Sequence, residues 1–299
     1  MPDTVLDNLE EKELQEDLAK QCENVLQKIT ESDRPLSVLV TGGSQAGKSS
    51  LVRVSFGEDA AIGANGQRIA TGSDGRPVTQ DVTSYTNPQR TLELIDTPGL
   101  EKNISSRIVE RIQEQLKQKK LQPSIVWVVL NYQSSMEDVE LELVKLAPGK
   151  PVIIIVNKCD FLYKRKCELQ HDSKCLEQFD QLRREELPPW MQKSVGLMSK
   201  RDRLLEWKAK HDDVRRIIIM SLGDNDQFDD EDQYDGPIGL DILLEATYGC
   251  LDDVGRIQLA ALQQHSKLGK IQASVAIIVA SMATAGGRYA YFVCKTTIN

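Results

Sequence analysis

Gly42-Gly43-Ser44-Gln45-Ala46-Gly47-Lys48-Ser49 is the stretch on which the reading of this chain turns. The run before it, Ser37-Val38-Leu39-Val40-Thr41, predicts a short buried strand, and residues 48–54 after it predict a helix. A glycine-rich turn between a strand and a helix, closed by Lys-Ser, has the spacing of a phosphate-cradling loop. Its glycines allow a tight turn that brings backbone N–H groups onto phosphate oxygens, and the helix N-terminus adds its positive dipole end. On this reading Gly42, Gly43, Ser44, Gln45, Ala46, Gly47, Lys48, Ser49 and Ser50 form the phosphate site. Lys48 reaches the β and γ phosphates, and the Ser49 hydroxyl ligates Mg²⁺.

Working outward, Asp96-Thr97-Pro98-Gly99 follows the apolar run Leu92-Glu93-Leu94-Ile95. A carboxylate at a strand end beside the phosphate loop can hold Mg²⁺, and the Gly99 N–H is placed to sense the γ phosphate. Asn157-Lys158-Cys159-Asp160 comes directly after Pro151-Val152-Ile153-Ile154-Ile155-Val156. The Asp160 carboxylate can accept two N–H bonds from a guanine edge, which adenine cannot offer. Asn157 would brace the loop, and the Lys158 stem would cover the base. Ser221 and Leu222, after Ile217-Ile218-Ile219-Met220, can offer a backbone N–H to the guanine oxygen.

These four elements, in this order, resemble the guanine-nucleotide motifs of the translation-factor-related P-loop GTPases. Asp-Thr-Pro-Gly and Asn-Lys-Cys-Asp are most similar to the Era-like, HSR1-related group, over roughly residues 35 to 250. The resemblance implies an α/β P-loop NTPase three-layer sandwich with a six-stranded, mostly parallel sheet. It implies Mg²⁺ as cofactor, GTP and GDP as ligands, and hydrolysis of GTP as a conformational switch. It also implies a mobile threonine covering Mg²⁺ and the γ phosphate. Gly75-Arg76-Pro77-Val78-Thr79-Gln80-Asp81 resembles the string often found there, which selects Thr79 ahead of Thr83. The metal set is then Ser49, Thr79 and Asp96.

Where related proteins carry a water-orienting glutamine, this chain has Leu100, which cannot orient water. Hydrolysis must then be slow or rely on a group from elsewhere. The phosphate loop is similar to that of dynamin-related proteins, with serine and glutamine transposed. In that family this stretch stabilises the transition state through a bound monovalent cation and pairing of two G domains. The resemblance makes Gln45 a catalytic candidate beside Lys48 and Thr79, and a homodimer through the G domain a candidate assembly. Gln45 stands where potassium-dependent relatives have asparagine, which leaves monovalent cation use open. Arg76 acting within the chain, or a residue of a partner, are the other sources.

The chain has 299 residues, 40% hydrophobic and 27% charged, enough for a sizeable core. Its net charge of −8 argues against a nucleic-acid partner, which needs clustered Lys and Arg. Six scattered cysteines read as reduced thiols of a cytoplasmic protein. Strands are predicted at 83–86, 91–96, 124–130, 151–157 and 216–220, and helices at 104–119, 135–146 and 239–250. The turn before 91–96 predicts one antiparallel pairing, and residues 55–82 read as a loop.

Outside this alternation, residues 1–34 contain an amphipathic helix over 5–29, and 35–254 form the G domain. Within it, 161–213 read as a helical insert, and seven acidic residues in 223–235 read as a solvated loop. Residues 255–299 form an apolar helical tail. Its 17 uncharged positions, 271–287, are borderline against the ~20 apolar residues of a membrane span. Two readings stand: a helix buried against protein, or a segment that anchors the chain in a membrane or holds it peripherally at the surface. Cys167, His171 and Cys175 share a helical spacing, but three ligands fall short of a structural zinc site.

Overall fold

The computed structural model describes residues 35–56, 62–63, 79–86, 92–100, 105–133, 143–159, 173–222, 237–252, 255–256 and 259. The N-terminal helix expected over 5–29, the acidic loop 223–235 and the apolar run 271–287 lie outside them. So do Arg76, Asp160, Cys167 and His171. The chain divides into two compact units, Leu36–Cys250 and the two ends taken together, Met1–Pro35 with Leu251–Asn299. Among the described residues no helix is long and apolar enough to cross a membrane.

The larger unit is built on a sheet of seven strands: β1 Leu36–Gly42, β2 Ile62–Gly63, β3 Thr83–Thr86, β4 Leu92–Asp96, β5 Ile125–Asn131, β6 Val152–Asn157 and β7 Val214–Ile219. The described α-helices are α1 Lys48–Phe56, α2 Ser105–Gln118, α3 Ser173–Glu177, α4 Pro189–Lys193, α5 Val195–Lys208 and α6 Leu240–Cys250. The strand order is β2-β3-β4-β1-β5-β6-β7. β1 pairs in parallel with β4 and β5, and β5-β6-β7 continue in parallel. β3 runs antiparallel to β4, as the turn before residue 91 predicts, with Thr83 opposite Asp96.

Six of these strands are the expected sheet. The seventh, Ile62–Gly63, pairs antiparallel with Tyr85 and Thr86 inside the region read as loop. Two residues are too few to show a periodicity, so the sequence carries no signal for it. Of the helix expected over 135–146, only Leu143–Leu146 is described, and it is a single 3₁₀ turn. The described part of the insert contains α3, α4 and α5 and a 3₁₀ turn at Arg184–Glu186.

Every residue of β1 and β6 is buried, which is why both read as near-continuous apolar runs: a parallel sheet with helices on both faces leaves no solvated side. Helix α2 instead alternates, burying Ile112 and Leu116 one turn apart and exposing Arg107, Glu110, Glu114 and Lys117. The one indole inside the sheet, Trp127 on β5, is fully buried and donates from Nε1 to Thr247 Oγ1 of α6 at 3.0 Å. Thr247→Val keeps the shape but orphans the indole N–H. Urea unfolding is expected to show a loss of about 1–3 kcal/mol with an unchanged m-value.

The insert is tied to the sheet by buried polar groups. Lys200 donates to the Asn131 carbonyl at the end of β5, while Arg201 knits the insert internally by donating to the Phe179 and Leu182 carbonyls. Asp180, with no side-chain exposure, takes Lys208 at 2.5 Å and accepts the Ile217 N–H of β7 at 3.1 Å.

Candidate functional site

β1 lies between β4 on one side and β5 on the other, so connections leave it in both directions. In open α/β sheets the crevice beyond the strand ends at such a point is where ligands bind. The loop from Gly42 to Gly47 occupies that position. It starts with Gly42 at φ +142°, in a backbone region that side chains rarely adopt. It ends with the first helical bond of α1, from Leu51 N–H to the Gly47 carbonyl at 2.8 Å.

The lysine of the loop is buried, 6% exposed, and its Nζ donates to the Gly43 carbonyl at 2.8 Å. Burial pushes the Lys48 ammonium below its usual range, with Asp96 opposing. Asp96, fully buried at the end of β4, has its carboxyl pushed up by the same cause, with Lys48, Ser49 and Thr79 opposing. Both groups are under-compensated for their burial, so an anion at Lys48 and a cation at Asp96 would each be stabilised.

Three oxygens converge there. Asp96 Oδ2 accepts from Ser49 Oγ at 2.7 Å and from Thr79 Oγ1 at 2.9 Å, and the two hydroxyls are 3.2 Å apart. Asp96 Oδ1 is buried with no hydrogen-bond partner. A carboxylate with a free oxygen beside two hydroxyls is a hard, all-oxygen donor set, which fits Mg²⁺. Thr83, the alternative to Thr79, lies in β3 opposite Asp96, and its hydroxyl donates to the Asp81 carbonyl instead.

The second loop is stitched to the first. Leu100 donates from its N–H to the Gly42 carbonyl at 3.2 Å, and its own carbonyl accepts the Ser44 N–H at 2.9 Å. Gly99 runs so close that a Cβ on it would stand 2.6 Å from Ser44 Cα. The Leu100 side chain is buried at 8% exposure, so it offers no polar group to the site. Thr97 anchors the turn by donating to the Val40 carbonyl at 3.1 Å.

Asn157 is 2% exposed, and its Nδ2 donates to the Ala46 carbonyl at 2.8 Å, the bracing contact expected from its position. Lys158 follows at φ +66°, and Cys159 is buried with its thiol on the Val156 carbonyl. Leu222 lies against Gly47, 3.3 Å from where a Cβ would stand. The Ser221 N–H is engaged by the Ile238 carbonyl at 3.1 Å, so the amide for a guanine oxygen would have to be that of Leu222. Gln45, exposed at the loop tip, has a left-handed backbone with φ +56°. Ser50 sits in the first turn of α1, half-buried.

The structure therefore brings together the phosphate loop, Ser49, Thr79, Asp96 and Asn157. A separate cleft of about 720 Å³, bordered by Pro151, Arg215, Tyr248 and Cys250, opens near the starts of β6 and β7, the opposite strand ends from the loop. No group of three or more metal-ligating side chains of the His, Cys, Asp and Glu kind occurs among the described residues. Sequence reasoning missed the grip of α2 on residues 81 and 82. Asp81 accepts from Arg111 at 2.5 Å and Gln115 at 2.7 Å, while Gln115 Oε1 accepts the Val82 N–H at 2.7 Å. A glutamine on a polar helix face has no motif to reveal it.

Residues 37–158 match the model of a protein family described as 50S ribosome-binding GTPase. The chain is similar to the tRNA modification GTPase MnmE of Bacillus licheniformis, 33% identical over 132 residues, 43% of this chain and 26% of that protein. It is similar also to the GTPase Der of Deinococcus deserti, 36% identical over 131 residues, 43% of this chain and 28% of that protein. The chain thus spans about a quarter of the length of these curated relatives. Among solved structures, a bacterial selenocysteine-specific elongation factor EF-Sec matches at a TM-score of 0.42 and 16% identity, over 73% of this chain and 28% of that one.

Proposed function

For a chain whose residues 37–158 match the model of a GTPase family, we propose a Mg²⁺-dependent GTP hydrolase that switches conformation between its GTP and GDP forms. The observation that carries this is the meeting of Ser49, Thr79 and Asp96 oxygens beside a buried Lys48 at the end of β1. Lys48 and the loop amides hold the β and γ phosphates and neutralise charge as it develops. Ser49, Thr79 and Asp96 hold Mg²⁺, which when bound supplies further charge neutralisation on the phosphates. Asn157 fixes the loop through Ala46, Lys158 covers the base, and Asp160 selects guanine over adenine.

Release of the γ phosphate frees what it had ordered. Thr79 and the Gly99-Leu100 turn meet the site from two directions, so both respond to its loss. Leu100 supplies no water-orienting group, so the chain relies on a second copy or another protein for speed. Gln45, exposed at the loop tip, is the residue through which a second copy or a bound monovalent cation would act. The working place is the cytoplasm, with a membrane surface or a protein partner reached through the tail.

A second reading, a GTPase of ribosome or RNA assembly, is favoured by the description of the matched family and by the tRNA modification GTPase among its relatives. The net charge of −8 weighs against direct RNA contact.

The test is phosphate release from GTP and from ATP over a series of protein concentrations. Specific activity on GTP that rises with concentration supports catalysis by a second copy. Slow, flat turnover with tight GTP binding supports a switch awaiting an activator. Preference for ATP, or no nucleotide binding, overturns the proposal.

A further inference from the structure

We infer that Gln115 is a positioning residue for Thr79, setting the Mg²⁺ affinity of the nucleotide site from outside it. The inference rests on the reading of Ser49, Thr79 and Asp96 as the metal-holding set. Thr79 Oγ1 reaches Asp96 at 2.9 Å. Downstream, the chain is gripped almost at once. Gln115 uses both ends of its carboxamide, Oε1 accepting the Val82 N–H and Nε2 donating to Asp81 Oδ1, each at 2.7 Å. The reversed amide would face donor to donor and acceptor to acceptor, so the two contacts fix each other's orientation.

Arg111 of α2 and Lys119, one residue past its end, lie four residues to either side. Arg111 donates to Asp81 and Lys119 Nζ to the Val82 carbonyl. Both backbone polar groups of Val82 are thereby held by side chains of α2 and the residue after it, and Val82 itself is fully buried. From Val82 the chain enters β3, where Thr83 pairs with Asp96, the carboxylate that Thr79 contacts. Thr79 is two residues from Asp81 and three from Val82, a tether of roughly 7–10 Å at full stretch. The grip therefore limits where the threonine hydroxyl can go and favours its place on Asp96.

The members of the grip are unequal. The Arg111–Asp81 pair is more than half exposed on both sides and contributes little by itself. The two Gln115 bonds are of ordinary net strength, and together they are worth about tenfold in the population of the gripped state.

The experiment measures how much Mg²⁺ the full chain needs to retain a fluorescent, slowly hydrolysed GTP analogue. Gln115→Leu preserves a helix former of similar size and is expected to raise the half-saturating Mg²⁺ about tenfold. Affinity for the analogue in EDTA should stay as in the parent, which a merely structural role would not allow, while the orphaned Val82 N–H lowers the melting temperature modestly. Asp81→Ala withdraws the other partner at an exposed position and should shift the Mg²⁺ requirement in the same direction. Combining the two should shift it by less than the sum. Thr79→Ala is the reference for losing the threonine outright. A shift in Thr79→Ala with none in Gln115→Leu or Asp81→Ala overturns the grip alone. No shift in any of the three overturns the metal assignment and the grip together.

Discussion

Gly42→Ala is expected to cost about 3 kcal/mol or more of folding stability. Two separate effects add. The backbone at φ +142° is in a region where an L side chain is strained. The new Cβ would also stand 1.9 Å from the Val129 carbonyl oxygen and 2.8 Å from its carbon. Those atoms are backbone of β5, and Gly42 pairs with Val129 in the sheet, so no flexible side chain can swing aside. Relief requires parting the two central strands or re-aiming the loop. Re-aiming would pull the Gly42 carbonyl from the Leu100 N–H and take the loop amides off the phosphates. Urea unfolding measures the first effect and nucleotide titration of the residual folded fraction the second. A loss below about 1 kcal/mol with binding intact would mean that β1 leaves the sheet by another path.

Lys48→Ala should do the reverse, leaving the fold and removing the activity. Phosphate release from GTP is expected to fall by about 10²–10³-fold, the scale seen when a preorganised charge-stabilising donor is lost. The fold should survive because α1 is held by Leu51, Val52 and Phe56, all buried, rather than by the ammonium. Burial already disfavours the charged lysine, so its removal relieves one cost while leaving Asp96 its two hydroxyl donors. Phosphate release and far-UV melting on the same preparation check the pair of expectations. A variant that melts early would move Lys48 into the core; one that turns over normally would remove it from the mechanism.

How much of this was legible beforehand divides along a physical line. The buried parallel strands were, because continuous apolar runs such as Val152-Ile153-Ile154-Ile155-Val156 have no other stable home in a chain of this composition. The loop was, because a motif is a local constraint: the glycines and lysine have to sit at fixed spacing to make one turn. Thr79 was chosen over Thr83 by resemblance to a string; in the structure Thr79 Oγ1 reaches Asp96, while the Thr83 hydroxyl donates to the Asp81 carbonyl. What stayed hidden depends on distant partners. Gln115 and Asp81 are 34 positions apart and look like any solvated residues. Lys200 and Arg201 read as part of a balanced charge pattern, yet both are buried and end on main-chain carbonyls. The use of the Ser221 N–H by Ile238 depends on an isolated bridge that no periodicity encodes.

The tie between Asp180 and β7 has a practical side for anyone trimming the chain. β7 ends the strand order, and an unprotected outer strand is a template on which another chain can pair. Its Ile217-Ile218-Ile219 run, apolar and β-branched, is the kind that stacks into aggregates. Here the Asp180 carboxylate occupies the Ile217 amide, and Arg216 reaches the Glu177 carbonyl, so the helices after residue 173 act as a cover over that border. A shortened chain made by excising them would keep the phosphate loop, Asp96 and Asn157 and still be prone to precipitate.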